Sequence, residues 1–204
     1  MSTLNPMLSA TARYDIPTFV AELDALATSG LSQADLAHAA KARLPRLVAT
    51  PDVLAPEFRE PDKTAYRTHL VAVAPSGAFS LVALVWLPGQ ATAIHDHICW
   101  CVVGVLEGLE EEKRFHLLAG PDGERWLCPG GVESMTTGET AILLPPEENI
   151  HQVHNAGETL AISLHVYGAD LRRVPSHSSI NERFDTLPIR NNPNGTPIPW
   201  RRQS

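Results

Sequence analysis

The hydrophobic pattern of the first part of the chain is helical. Between residue 15 and about residue 48, apolar side chains recur three and four positions apart, as they do along one face of a helix. Asp15 and Ser32 are suited to cap two helix N-termini, and Gly30 is suited to end the first helix. The pattern therefore predicts two consecutive helices in this segment.

From Tyr66 onwards the pattern changes to short β-rich runs separated by turn residues. These runs are YRTHLVAV, FSLVALVWL, WCVVGVLEG, EEKRFHLL, RWLCPG, TAILL, IHQVHN and TLAISLHVYG. Many short strands with regular turns predict an all-β sandwich or small barrel. We divide the chain into an N-terminal helical extension (1–65), a β barrel (66–170) and an irregular C-terminal tail (171–204), which together form a single domain.

Composition and charge narrow the classes of function. Apolar residues make up 44% of the 204 residues, and the net charge of −7 argues against a nucleic-acid-binding surface. No apolar run reaches the roughly 18 residues of a membrane helix, and the first residues lack a signal-peptide pattern. Three cysteines make no disulfide framework. We expect a cytoplasmic protein, monomeric or weakly homo-oligomeric, with no nucleic-acid or membrane partner.

Pairs of closely spaced histidines are the main candidates for chemistry. His95 and His97 are two residues apart, so on a strand their side chains share a face, and Cys101 shares it if the strand continues without a bulge. His151 and His154 are three apart, so only one of them can join an interior site. A lone H-x-H in a β protein is more often a solvated or hydrogen-bonded pair, and the spacing alone leaves both interpretations open.

The surroundings of these histidines resemble the two motifs of the cupin superfamily, G-x5-H-x-H-x3,4-E-x6-G and G-x5-P-x-G-x2-H-x3-N. The matching residues are Gly89, His95, His97, Gly108, Pro146, His151 and Asn155. The second motif departs from the pattern, because Glu148 replaces its inner glycine and its leading glycine is shifted to Gly138. The resemblance implies a metal-binding cupin, a double-stranded β-helix or jelly-roll barrel.

One departure in the first motif points to a particular family. Cys101 stands where an ordinary cupin has its glutamate ligand. A cupin that holds metal by three histidines resembles the thiol dioxygenases, namely cysteine dioxygenase and 3-mercaptopropionate dioxygenase. YRTHLV, WLPGQATAIHDH and IHQVHNAGETLAISLHVYGAD are similar to stretches of that family. The resemblance implies that His95, His97 and His151 bind Fe(2+).

The same resemblance implies the reaction. A small thiol and dioxygen would meet at the iron, and both oxygen atoms would end on sulfur as a sulfinate. Three neutral imidazoles leave the charge of the metal uncompensated, which favours a bound thiolate over a thiol. Ser163, His165 and Tyr167 alternate on one strand and resemble the family's relay, with the Tyr167 hydroxyl facing the substrate. Without the metal motifs, the three residues would be interpreted as the polar side of a half-buried strand.

Three interpretations of Cys101 remain open. It can be a small buried residue that packs as a hydrophobe. It can be a fourth metal ligand in place of glutamate. It can also resemble the cysteine that animal cysteine dioxygenases link covalently to the active-site tyrosine, which would make it a thioether partner of Tyr167.

The residues that bind the substrate are less clear. Thr68 stands where cysteine dioxygenases resemble one another in having arginine, and mercaptopropionate dioxygenases in having glutamine. Arg67 is one residue away and on a strand faces the other side. The mercaptopropionate enzymes use an arginine soon after the HVYGA strand, where this chain has Arg173, our preferred candidate, and Arg172.

We therefore predict an iron-dependent dioxygenase acting on a small carboxylated thiol similar to 3-mercaptopropionate. One alternative is a cysteine dioxygenase. Another is a non-oxidative metal-binding cupin, either an isomerase or a binding protein, because a fold does not determine a function.

Overall fold

Two helices precede eight strands in the computed structural model, which describes residues 13–146, 149–173, 183–184 and 186–191. The helices are α1 (Ile16–Ala27) and α2 (Gln33–Val48), followed by a 3₁₀ turn at Pro56–Phe58. The strands are β1 (Arg67–Val73), β2 (Ser80–Trp86), β3 (Cys101–Glu107), β4 (Leu109–Ala119), β5 (Arg125–Thr136), β6 (Thr140–Leu143), β7 (Ile150–Asn155) and β8 (Ala161–Tyr167). No helix among the described residues is long and apolar enough to cross a membrane.

Both helices begin at the residues that the sequence predicts as N-caps. The Asp15 carboxylate accepts a hydrogen bond from the Thr18 backbone N–H at 2.9 Å, and the Ser32 hydroxyl accepts one from Asp35 N–H at 3.1 Å. Each bond satisfies a backbone donor that the first turn of a helix leaves unpaired. The predicted pair of helices is confirmed.

The strands form two antiparallel sheets. The larger has the order β1-β2-β8-β3-β6 and the smaller the order β5-β4-β7. Apolar residues from both sheets share one core, including Val82 and Val103 from the larger sheet and Met135 and Val153 from the smaller. The predicted all-β cupin barrel with N-terminal helices is confirmed.

Strands β2 and β8 are buried on both faces, since all seven residues of each are buried. Ile162, Leu164 and Val166 of β8 pack outward in the core that contains helices α1 and α2. The alternate side chains of β8 must therefore point into the barrel. This arrangement, and not a half-buried strand, encloses Ser163 and His165.

Gly108, the last glycine of the first motif, forms the turn between β3 and β4. Its φ of +86° lies in the region that other residues rarely adopt, and a Cβ there would lie 2.7 Å from the Leu160 carbonyl oxygen. The turn thus requires glycine for both its conformation and its close backbone contact.

Part of the predicted C-terminal tail packs on the barrel. Phe184 is buried beside Ile94, and its N–H donates to the Ile94 carbonyl at 2.9 Å. Leu127 N–H donates to the Pro188 carbonyl at 2.9 Å. Most of the tail lies outside the described residues, and the boundaries at 65 and 170 stay predictions.

Candidate metal centre

His95 comes from a loop and not from a continuous strand. Strand β3 begins only at Cys101, so the expectation that a single strand carries His95, His97 and Cys101 is corrected. His95 instead makes an isolated antiparallel bridge to His151 of β7, in which each backbone N–H donates to the other residue's carbonyl, at 2.9 and 2.8 Å. This backbone bridge places the two histidines side by side in the wall of the barrel.

His97 is held by the segment that leads into β7. The side-chain amide of Asn149 donates to the His97 carbonyl at 2.5 Å, and both residues are buried. The loop after the bridge therefore has a fixed backbone conformation, which directs the His97 ring inward although the strand pattern has ended.

The three imidazoles converge on one point. The Nε2 atom of His151 lies 2.9 Å from Nε2 of His97 and 3.2 Å from Nε2 of His95. Burial, together with the neighbouring histidines, lowers the pKa of His97 and of His151 well below the usual value. Neutral rings present lone pairs. Nitrogens at this spacing suit one shared ion, since metal–imidazole bonds are about 2.0–2.1 Å long for zinc.

These three histidines are the one group of metal-ligating side chains found within the described part of the chain. The group contains no carboxylate and no thiolate. His154 lies apart from it, with its Nε2 atom 3.5 Å from a carboxylate oxygen of Glu111. The donor set therefore fits a metal bound by three neutral nitrogens.

Glu112 binds the side of the His151 ring that faces away from the other two histidines, and Arg114 binds Glu112. The Nδ1 atom of His151 lies 2.5 Å from Oε1 of Glu112, and the other Glu112 oxygen lies 2.5 Å from Arg114. All three side chains are at most 4% exposed. A carboxylate that accepts from Nδ1–H fixes the tautomer in which Nε2 carries the lone pair.

The alternating residues of β8 form a hydrogen-bonded line beside the histidines. The Ser163 hydroxyl lies 2.9 Å from Nε2 of His165, and Nδ1 of His165 lies 3.5 Å from the Tyr167 hydroxyl. The Tyr167 ring stacks on His97 with centroids 5.7 Å apart. Burial lowers the pKa of His165 to about 3 and raises the pKa of Tyr167 well above its usual value. His165 is therefore neutral, and Tyr167 keeps its proton.

Cys101 lies directly across from Tyr167. The two residues are partners in the register of β3 and β8, and the Cys101 sulfur lies 3.8 Å from Nδ1 of His165. Burial raises the pKa of the Cys101 thiol well above its usual value. Cys101 is not part of the three-histidine group, which argues against a role as fourth ligand.

A cavity of about 400 Å³ opens onto the three histidines. Its lining residues are Tyr66, Thr68, Leu84, Trp86, Thr92, Ala93, His95, His97, His151, Val153, His165, Tyr167 and Arg183. The cavity is large enough for a small organic molecule. Its described lining contains one arginine and no carboxylate.

The predicted substrate-binding residues are only partly brought together. Thr68 lines the cavity, whereas Arg67 is exposed and lies 3.6 Å from Glu60. Arg172 and Arg173 are exposed and make ion pairs with Asp170 at 2.9 and 3.3 Å. Neither is among the lining residues.

Sequence reasoning missed several residues of the site. Arg183 lies in the segment interpreted as an irregular tail, and no local pattern connects it to the cavity. Glu110, Glu112 and Arg114 alternate on β4 and are all buried. All five residues from Glu110 to Arg114 are charged, so both faces of this strand carry charge. This was a usable signal, since one of the two faces had to lie in the barrel.

The family model for cysteine dioxygenase type I matches residues 52–180, more than half of the chain. The chain belongs to this family. The matched range includes all three histidines and the residues Ser163, His165 and Tyr167 of β8. It excludes Arg183, so the family pattern does not account for that residue.

Solved structures with a similar fold have low sequence identity to this member of the family. One is an uncharacterised conserved protein with a double-stranded β-helix domain from Klebsiella pneumoniae, 22% identical, with a TM-score of 0.44, covering 56% of this chain and 80% of that chain. Another is TT1209 from Thermus thermophilus, 21% identical, with a TM-score of 0.40 and coverage of 55% and 91%. Their likeness concerns the fold alone.

Proposed function

We propose that this protein is an iron(II)-dependent thiol dioxygenase that converts a small carboxylated thiol, similar to 3-mercaptopropionate, into its sulfinate. The observation that carries the proposal is the convergence of three buried neutral histidines, without a carboxylate, beside Tyr167 in a small cavity. The reaction consumes one thiol and one dioxygen, and places both oxygen atoms on sulfur with release of the thiol proton.

His95, His97 and His151 would hold the iron through their Nε2 atoms. Bound ferrous iron would supply the redox chemistry that joins a thiolate to dioxygen, which zinc in the same site lacks. The three ligands carry no negative charge, so they leave the metal charge to stabilise an anionic sulfur. Glu112 and Arg114 lie on the far side of His151, outside the cavity lining, and keep that ring oriented.

Tyr167 would act as a hydrogen-bond donor to the reacting groups. Its raised pKa keeps the hydroxyl protonated throughout the neutral range. Its ring is fixed by stacking on His97, and His165 lies beside the hydroxyl. The donor is therefore already oriented before the substrate enters.

Arg183 is the proposed partner of the substrate carboxylate. It is the one lysine or arginine in the described lining, whereas Arg172 and Arg173 are paired with Asp170. The lining offers no carboxylate to a substrate ammonium group. One arginine and no carboxylate in the lining favour a thiol acid over cysteine as the substrate. Thr68, at the family's substrate-binding position, matches neither the arginine of cysteine dioxygenases nor the glutamine of mercaptopropionate dioxygenases.

The test measures iron content and oxygen consumption with 3-mercaptopropionate, mercaptosuccinate, cysteine and cysteamine. We expect stoichiometric iron and sulfinate, with kcat/KM highest for a thiol acid. A tenfold or greater preference for cysteine, a difference of about 1.4 kcal/mol, would establish the cysteine dioxygenase alternative. Metal binding without oxygen consumption on any thiol would favour a non-oxidative cupin.

Arg183→Gln tests the carboxylate contact, with Arg172→Gln as a matched control outside the cavity. A charge-assisted hydrogen bond contributes about 1.5–3 kcal/mol, so KM for the thiol acid should rise by roughly ten- to a hundredfold in Arg183→Gln. Cysteamine, which has no carboxylate, should be unaffected. An equal rise of KM in Arg172→Gln would instead assign the carboxylate contact to Arg172 and Arg173, the two arginines after β8.

The cytoplasmic location and the oligomeric state stay predictions.

A further inference from the structure

Glu110 is a fully buried carboxyl group that the proposed chemistry does not use. It lies on β4, where alternate side chains point into the barrel, and none of its surface is exposed. Neither carboxyl oxygen makes a hydrogen bond of standard geometry within the described residues. The Ser163 hydroxyl and the Trp86 indole N–H lie close enough to the carboxyl group to lower its pKa, so they are the polar groups that it can reach.

Through Ser163, Glu110 adjoins one end of the line that leads to the cavity. Trp86 Nε1–H donates to the Ser163 oxygen at 3.4 Å, and that oxygen lies 2.9 Å from Nε2 of His165. At the other end, Nδ1 of His165 lies 3.5 Å from the Tyr167 hydroxyl. Because neutral His165 has one N–H and one lone pair, the line can point in either of two directions.

Protonated Glu110 directs the line towards the cavity. When the carboxyl group turns onto Ser163, the acid O–H donates to the Ser163 oxygen, whose two lone pairs are then taken by Glu110 and Trp86. Ser163 must donate its own proton to Nε2 of His165. His165 then carries its proton on Nδ1 and donates to the Tyr167 oxygen, which leaves the Tyr167 proton free to point at a ligand.

Ionised Glu110 reverses the donor and the acceptor in each hydrogen bond from Glu110 to Tyr167. Ser163 donates to the carboxylate and accepts from Nε2–H of His165. The Nδ1 atom of His165 becomes an acceptor and binds the Tyr167 proton, which withdraws this proton from the cavity. Both directions satisfy Ser163 and His165, so the state of Glu110 selects between them.

We infer that Glu110 is a positioning residue whose protonated form sets the His165 tautomer and thereby frees the Tyr167 hydroxyl to donate into the cavity. The effect on turnover rests on the proposed function, whereas the effect on the tautomer does not. Glu110 touches neither the histidine cluster nor the cavity, and acts through Ser163.

The environment of Glu110 places the change between its protonated and ionised forms near neutrality. Burial raises its pKa to about 7, against the lowering effects of Ser163 and Trp86 and with a small raising effect from Glu112 on the same strand. The adjoining ionisable group of β8, His165, is neutral in this range. The switch therefore falls within a pH range in which the protein can be studied.

The test follows the His165 tautomer by nitrogen NMR of histidine-labelled, zinc-loaded protein, with the His165 signals identified by their loss in His165→Gln. Spectra cover about two pH units on each side of the Glu110 pKa. We expect proton transfer from the Nδ1–H to the Nε2–H tautomer as pH rises. In Glu110→Gln, whose amide donates as the neutral acid does, His165 should stay in the Nδ1–H form. The matched control, Glu111→Gln, changes the half-buried neighbour on the other face of β4 and should switch as the wild type does.

Kinetics provide a second readout. The wild-type kcat should fall above the Glu110 pKa by about tenfold per pH unit, and Glu110→Gln should lose this decline. An unchanging tautomer in the wild type, or a switch that persists in Glu110→Gln, would overturn the inference. If Glu110→Gln does not fold, Ser163→Ala decides, because separating Glu110 from His165 must abolish the switch. Absence of thiol oxidation would refute the proposed function while leaving the NMR result decisive.

Discussion

His151 and Glu112 form a buried hydrogen bond of 2.5 Å between Nδ1 of the imidazole and a carboxylate oxygen. The bond joins β7 to β4, two neighbouring strands of the smaller sheet. It makes Nδ1 the donor, so that Nε2 faces His95 and His97 as an acceptor. Arg114 compensates the charge of Glu112, which explains how a carboxylate persists in this interior.

Glu112→Gln should weaken metal binding. The amide keeps the shape of the side chain but loses the charge that orients His151, and it removes the ion pair between Glu112 and Arg114. Loss of such a supporting carboxylate typically costs ten- to a hundredfold in metal affinity. Competition with a chelator measures the change, with Glu111→Gln as the control. Equal affinity in the two variants would show that Glu112 has no role in orienting the ligand.

The two histidines of β7 should differ completely in their effect on metal content. His151→Ala removes one of three converging nitrogens and should yield protein with little iron. His154→Ala removes a half-buried ring beside Glu111 and should retain it. Elemental analysis of both purified variants checks this, and full iron in His151→Ala would show that the cluster is not the metal site.

Tyr167→Phe should retain iron and bind the substrate but turn it over slowly. The substitution removes the hydroxyl while the ring keeps its stacking on His97. Contributions of a positioned acid or hydrogen-bond donor are typically about 10²–10⁴-fold in rate. The measurement is kcat at saturating thiol and oxygen, alongside iron content. A wild-type kcat would exclude the hydroxyl from the reaction.

Glu110 should make the stability of the fold decrease with rising pH. Its pKa is about 7 in the folded protein and near the ordinary 4.5 in the unfolded chain. Between these values the folded state binds the extra proton, so the free energy of unfolding falls as pH rises, by about 3 kcal/mol in total. Glu110→Gln should lack this component. Denaturant unfolding at several pH values measures it, and a constant difference between wild type and variant would contradict the assignment.

The sequence alone determined the features that depend on neighbours along the chain. Asp15 and Ser32 cap their helices through backbone groups three residues away, so local sequence was sufficient. The alternation of Ser163 and Tyr167 on one face follows from strand geometry. The choice of His151 as a candidate ligand came from the spacing of a family motif, and the structure brings that residue to His95 and His97.

The tertiary structure decided everything that depends on which segments meet. The inward face of β4, and with it the burial of Glu110 and Glu112, is set by pairing with β5 and β7. The loop at His97 leaves the strand pattern because Asn149, from a distant segment, holds its backbone. Arg183 reaches the cavity because its backbone bridges His95 and Phe184 is buried beside Ile94. Such contacts arise from long-range packing, whose partners no local pattern of side chains specifies.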